Sequence, residues 1–290
     1  MTWIALTLLA AFSQAWRNAL QSQLSGHVSV AGVTLARFLP AAPIALCYLW
    51  AMHWLEHSPM TLPELATLKY IGAAAVLQIV ATGLMVILFK QNNYAVGAGL
   101  AKSEAVVAAV LGTLFFGSAL SMLGWVGVVI GGIAVLLLSG FSVRQLSLKT
   151  AVLGFLCGTS FALTSLYVRE ASLASGLEFP LGAAWVLMSV IACQCIILAV
   201  YLSIWEPNTW RAMWMSRRTV ITVGVCSCIG SIGWFSAMSL QHVAYVKTLG
   251  QLEIFFMIAI SRWWLKKPVA KKDFWGLCLI ALAAILVMMT

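Results

Sequence analysis

The sequence predicts an all-α membrane protein of ten transmembrane helices, arranged as two inverted five-helix repeats. Three observations carry that expectation. The composition is 62% hydrophobic and only 9% charged, with a mean hydropathy of +1.00. The apolar residues fall into ten separate runs, and the chain corresponds to itself at an offset of 149 residues. Soluble domains are roughly 45–50% apolar, so the excess belongs to lipid contact. Disordered chains are apolar-poor and charge-rich, the reverse of this one. Seven cysteines, an odd number and all inside apolar runs, exclude a secreted disulfide scaffold. The formal charge of +9 is assigned to membrane topology rather than to nucleic-acid binding.

The runs lie at 3–21, 29–52, 69–90, 94–116, 120–140, 150–169, 180–204, 219–239, 244–265 and 273–289. Backbone groups in lipid must satisfy one another, so runs near 20 residues read as helices. Outer-membrane strands would alternate polar and apolar over about ten residues, and these runs do not. The first run lacks a basic leader, and Gln14, Trp16, Arg17, Asn18 and Gln21 stand where a cleavage site would need small residues. It is expected to be retained. In the second run, Pro40 and Pro43 follow Arg37 and are expected to kink the helix. The longest link, from Met52 to Leu68, holds Glu56, Pro59, Pro63 and Glu64. No Gly/Ser linker divides the chain, so residues 1–290 are expected to form one membrane transport domain, with repeats at 1–140 and 150–290.

The offset aligns Ala11-Phe12 with Ser160-Phe161, Leu24 with Leu173, Glu104 with Glu253, and Gly127 with Gly276. Five helices per half is an odd number, so the second half must enter the membrane from the opposite side. Inverted repeats of this kind place substrate near the midplane between the halves. Links after odd-numbered runs hold ten Lys and Arg (Lys90, Arg144, Lys149, Arg211, Arg217, Arg218, Lys266, Lys267, Lys271 and Lys272). Links after even-numbered runs hold two, Lys69 and Arg169. The positive-inside rule then puts odd links in the cytoplasm and both termini outside.

Charge inside the runs carries the functional signal, because each such group costs a few kcal/mol at the bilayer centre. Arg17, Arg37, Lys102 and Lys247 are cationic there, against Glu104 and Glu253. A purely structural network tends to neutrality. The cationic excess points to a water-filled cavity or a bound anion. At about 100° per residue, Lys102 and Glu104 cannot share a helix face, whereas Lys247 and Gln251 do. Lys102, Lys247 and Gln251 are therefore expected to face a central cavity. For Glu104 and Glu253 two placements stay open: bracing Arg17 or Arg37 towards neighbouring helices, or facing the cavity themselves. Arg17 reads either as a cavity residue or as a snorkelling one.

Trp16 and Trp234 are the tryptophans expected at the cavity, most of the 13 being interfacial. Glycines at 97–99, 131–132 and 230–233 read as close helix contacts. His27, His53, His57 and His242 fall at helix ends, and Asp273 is the single aspartate. No metal and no cofactor is expected. Cys193, Cys195, Cys226 and Cys228 read as inert core thiols. H-E-x-x-H, Walker A and G-x-S-x-G are missing, so the chain is not expected to be an enzyme.

The stretches YAVGAGLAKSEAVVAAVLGTLFFGSALSMLGWVGVVIGGIAVLLLSG and AYVKTLGQLEIFFMIAISRWWLKKPVAKKDFWGLCLIALAAILVMM, with TLARFLPAAPIAL at 34–46, resemble the drug/metabolite transporter superfamily, specifically its EamA-type members. The resemblance spans the whole chain and includes the second-helix arginine, here Arg37. It implies the ten-helix fold and transport. Two departures stand out. Gly117 and Lys266 occupy positions where the family often carries glutamate, and the Lys102–Glu104 and Lys247–Glu253 segments lie in helices that are mostly apolar in typical members. Relatives are drawn with cytoplasmic termini; the Lys/Arg count here places them outside.

The expected function is a multi-pass secondary transporter of the inner membrane, an exporter moving small anionic or zwitterionic metabolites such as amino acids by alternating access. Arg37, Lys102 and Lys247, with Arg17, would neutralise an acidic group. Gln14, Asn18 and Gln251 would orient it, and Trp16 or Trp234 would cover its apolar part. Glu104 and Glu253 would serve as ion-pair or coupling residues. The partners implied are the metabolite and the bilayer, not nucleic acid; a monomer suffices and a dimer is allowed. A cationic-drug exporter and a lipid flippase or scramblase are the rival readings.

Overall fold

The computed structural model describes residues 1–56, 64–90, 102–138, 148–263 and 273–289. Among these residues all regular structure is helical. The helices are α1 (Thr2–Leu24), α2 (Val30–Phe38), α3 (Ala41–Leu55), α4 (Thr67–Lys90), α5 (Glu104–Phe115) and α6 (Met122–Leu138). There follow α7 (Leu148–Leu173), α8 (Leu181–Trp205), α9 (Asn208–Met215), α10 (Arg217–Leu240), α11 (Val243–Gly250), α12 (Glu253–Trp263) and α13 (Asp273–Met288). Among the described residues, six helical stretches are long and apolar enough to cross a membrane: Val30–Leu55, Thr67–Lys90, Leu148–Leu173, Leu181–Trp205, Arg217–Leu240 and Val243–Ile260. Helix α1 has the length, at 23 residues, but Gln14, Arg17, Asn18 and Gln21 dilute its hydropathy. The glycines at 97–99, His57, Pro59, Pro63, Arg144 and the basic cluster from Lys266 to Lys272 lie outside the described residues.

Two of the apolar runs are interrupted. The second breaks at Leu39-Pro40, where proline removes a backbone donor, and resumes as α3 with Pro43 in its first turn. The ninth breaks after Gly250 through a tight turn, Gln251 N–H reaching the Thr248 carbonyl at 3.1 Å and Leu252 N–H the Leu249 carbonyl at 3.1 Å. Helix α9 occupies a segment read as a plain link. Its eight residues bury Thr209 and Met213, four apart on one face. The Thr209 hydroxyl bonds Ser29 Oγ at 3.2 Å, seating α9 on the start of α2.

The most extensive pairings are α1 with α10, α4 with α7, and α6 with α13. Small residues allow the first of these. A Cβ on Gly233 would lie 2.6 Å from the Leu6 carbonyl oxygen and 2.9 Å from Ala10 Cβ, so the α1 and α10 backbones touch there. In the second pairing, Cys157 of α7 donates to the Ala81 carbonyl of α4 at 3.3 Å, and the Thr67 hydroxyl donates to the Ala174 carbonyl at 2.7 Å. Residues early in α4 thus meet the chain just past α7, which makes the two helices antiparallel. Gln194 of α8 donates to Gln78 of α4 at 2.7 Å, joining two amides across an apolar layer.

Gly233→Ala should lower stability by about 1–3 kcal/mol, since the added methyl meets backbone. Gly72→Ala should be neutral or stabilising, because nothing lies within 4 Å of its Cβ position. Thermal unfolding of the two variants in the same detergent checks the contrast.

Candidate functional site

Helix α1 assembles the polar side of the site through its periodicity. Gln14, Arg17, Asn18 and Gln21 recur at helical spacing, so they share one face, and all four are buried. That face looks across to two helix starts. Helices α5 and α12 open on Glu104 and Glu253, and a carboxylate at a helix N-terminus meets the positive end of the peptide dipoles.

Glu253 is fully enclosed, at 0% exposure, and three donors converge on it. Gln14 Nε2 donates to Oε2 at 2.6 Å, Asn18 Nδ2 donates to Oε1 at 2.8 Å, and Lys102 Nζ forms an ion pair with Oε2. Arg17 in turn donates to Asn18 Oδ1 at 2.9 Å through Nη2, which turns the Asn18 amide towards Glu253. Glu104 has a simpler setting. Lys247 Nζ stands 3.3 Å from its Oε2 and also lies 4.5 Å from the centre of the Trp234 ring, a cation–π contact. The Trp234 indole N–H donates to Gln14 Oε1 at 3.0 Å, tying the two ion pairs into one network.

A small cavity of about 30 Å³ opens beside this network. Gln14, Arg17, Arg37, Lys102, Glu104, Trp234 and Lys247 all line it. Arg37 enters from α2 just before the Leu39-Pro40 break and donates to Thr82 Oγ1 at 2.8 Å, with the Phe161 ring centre 6.0 Å away. Its Nε is buried without a partner. Glu253 and Asn18 stand behind the lining, and Trp16, half-buried, is not part of it. Gln251 does not reach the lining either: the break after Gly250 takes it off the Lys247 face, and both atoms of its amide are buried and unpartnered.

The acidic residues thus depart from one expectation. Neither Glu104 nor Glu253 forms an ion pair with Arg17 or Arg37; each is matched by a lysine from the other half of the chain. The reason is reach, since Lys102 and Lys247 lie beside the helix starts that carry the carboxylates. Arg17 is 2% exposed and sits in the network rather than snorkelling outwards. The opposite wall comes from Phe161, Thr164, Ser165 and Val168 of α7, Gln78 of α4, and Ser231, Phe235 and Met238 of α10. Hydroxyls and apolar side chains in apolar runs gave no cue; Gln78, an amide in mid-run, was the one visible signal.

Among the described residues, no group of three or more His, Cys, Asp or Glu stands together in a way that could hold a metal ion. Chemically, the lining offers guanidinium and ammonium donors, the Glu104 carboxylate, hydroxyls and aromatic faces, a set that can hold an acidic group.

Glu253→Gln should cost about 3–5 kcal/mol, because it strands the Lys102 ammonium beside the Gln14 and Asn18 amides that shared its carboxylate. Glu104→Gln, which loses a single and longer contact beside the cavity, should cost less. Guanidinium or thermal unfolding in detergent ranks the pair; equal losses would contradict the distinction drawn between a strut and a cavity carboxylate.

No family model matches the sequence, and no curated protein matches it. A solved crystal structure of a protein is similar over 98% of this chain and 96% of its own, with a TM-score of 0.73 at 13% sequence identity. At that identity the likeness concerns the fold alone.

Proposed function

We propose that this chain is a secondary transporter of the EamA type within the drug/metabolite transporter superfamily. It would carry small anionic or zwitterionic metabolites outwards across the inner membrane by alternating access. The observation that carries the reading is the buried charge: four cations at the centre against two carboxylates, both carboxylates already engaged by lysines. A cationic-drug exporter would need a carboxylate free to meet its cargo, and neither glutamate is free.

The helix pairings support the ten-span, inverted-repeat architecture. Shifting each helix by 149 residues exchanges the α1–α10 pair with the α4–α7 pair, and α5 and α12 begin at corresponding glutamates. The charge at the two ends supports the orientation. Lys90, Lys149, Arg211, Arg217 and Arg218 gather at one end with Glu206. Lys69 and Arg169 stand at the other with Glu56, Glu64, Glu170 and Glu178. The first end would face the cytoplasm. A cavity of about 30 Å³ holds on the order of two waters, so a metabolite would enter only once the two helix pairs part. That need for opening is what alternating access supplies.

Reconstituted protein should take up members of an anionic or zwitterionic panel into liposomes with saturation; transport of cations alone, or of labelled lipid alone, would refute the reading. Ligand at about 100 times its Kd should raise stability by about 2.7 kcal/mol. Lys247→Met should remove most of that shift. A phosphatase reporter fused after Thr290 should be active, as a terminus outside the cytoplasm requires.

A further inference from the structure

Lys102 and Lys247 are neutralised within the protein, by Glu253 and Glu104. Arg17 and Arg37 are not: among the described residues no carboxylate lies within 4.0 Å of either guanidinium. Arg17 bonds the neutral amide of Asn18, and Arg37 bonds the neutral hydroxyl of Thr82 while its Nε finds nothing. Both groups are buried, at 2% and 3% exposure, and both line the same cavity. Shifted by 149 residues they correspond to Leu166 and Val186, so the second half neither repeats nor offsets them. Guanidinium groups keep their proton in proteins, so this charge persists whenever the cavity is closed.

From this we infer that the cargo is a small dianion, a dicarboxylate or a phosphate monoester. The inference rests on the anion-carrier reading. An occluded site must match its guest charge for charge, because an unpaired ion in low dielectric costs several kcal/mol, as each uncompensated charge would here. A monoanion leaves one arginine unmatched and a zwitterion leaves both. Two acidic groups, or one phosphate, meet both guanidinium forks with bidentate bonds. The hydroxyls of Thr164, Ser165 and Ser231 stand in the same lining to bond the oxygens left over.

Four probes test this by thermal shift and calorimetry on the purified full chain at neutral pH: succinate, glycerol 3-phosphate, lactate and alanine. At least one of the two dianions should bind roughly tenfold or more tightly than lactate, and alanine should bind weakest. Succinate or glycerol 3-phosphate alone identifies which dianion chemistry is carried, and either result supports the inference. Arg37→Gln and, separately, Arg17→Gln should each reduce the dianion-to-lactate preference by roughly tenfold. Should a variant not fold, the wild-type ranking still decides. Lactate or alanine binding as tightly as the dianions would overturn the inference and leave the anion carrier standing; no binding of any probe would overturn both.

Discussion

Charge withdrawn from water between packed helices is the constraint on which this molecule is built. Among the described residues two arginines, two lysines and two glutamates meet in the interior of a chain whose composition is 62% hydrophobic, and each must be matched or hydrated. Their arrangement explains features that look unrelated. The ninth run breaks just before Glu253, and α5 likewise opens on Glu104, since a carboxylate there meets the free amides of a helix start. Gln14 and Asn18 spoil the hydropathy of α1 because amides are needed to hold Glu253. Trp234 is buried with its indole N–H on Gln14 and its face on Lys247, serving both ion pairs at once.

The two carboxylates are alike in position and unlike in circumstance. Glu253 receives three donors and is sealed away from the cavity; Glu104 receives one lysine and borders it. A structural strut and a responsive group can therefore arise from equivalent places in a duplicated chain. What separates them is the neighbouring face of α1, which supplies two amides to one glutamate and none to the other. Gln251 shows the same divergence, standing where the other half has Lys102 and holding an amide with no partner.

Much of the helical pattern was legible because lipid leaves the backbone few choices. The kink expected at Pro40 and Pro43 appears as the break between α2 and α3, and the glycines at 230–233 do mark a close approach. Helix α9 was not legible: its eight residues are polar enough to read as a link, and only Thr209 and Met213, four apart, hint at a buried face. The ion-pair partners were misread for a geometric reason. Arginine was given to glutamate on chemical grounds, whereas each carboxylate meets a lysine from the other half and the arginines approach from α1 and α2. Gln251 was placed by spacing along an ideal helix and fell beyond a break that spacing does not reveal.

The two lysine–glutamate bonds also bear on how the chain is made. Lys102 and Glu253 stand 151 residues apart, and Glu104 likewise waits for a lysine from the far half. While a ribosome is still producing the first half of the chain, neither Lys102 nor Glu104 has its mate. Enclosure of these two charges is thereby tied to the arrival of Lys247 and Glu253, so both bonds close late in synthesis.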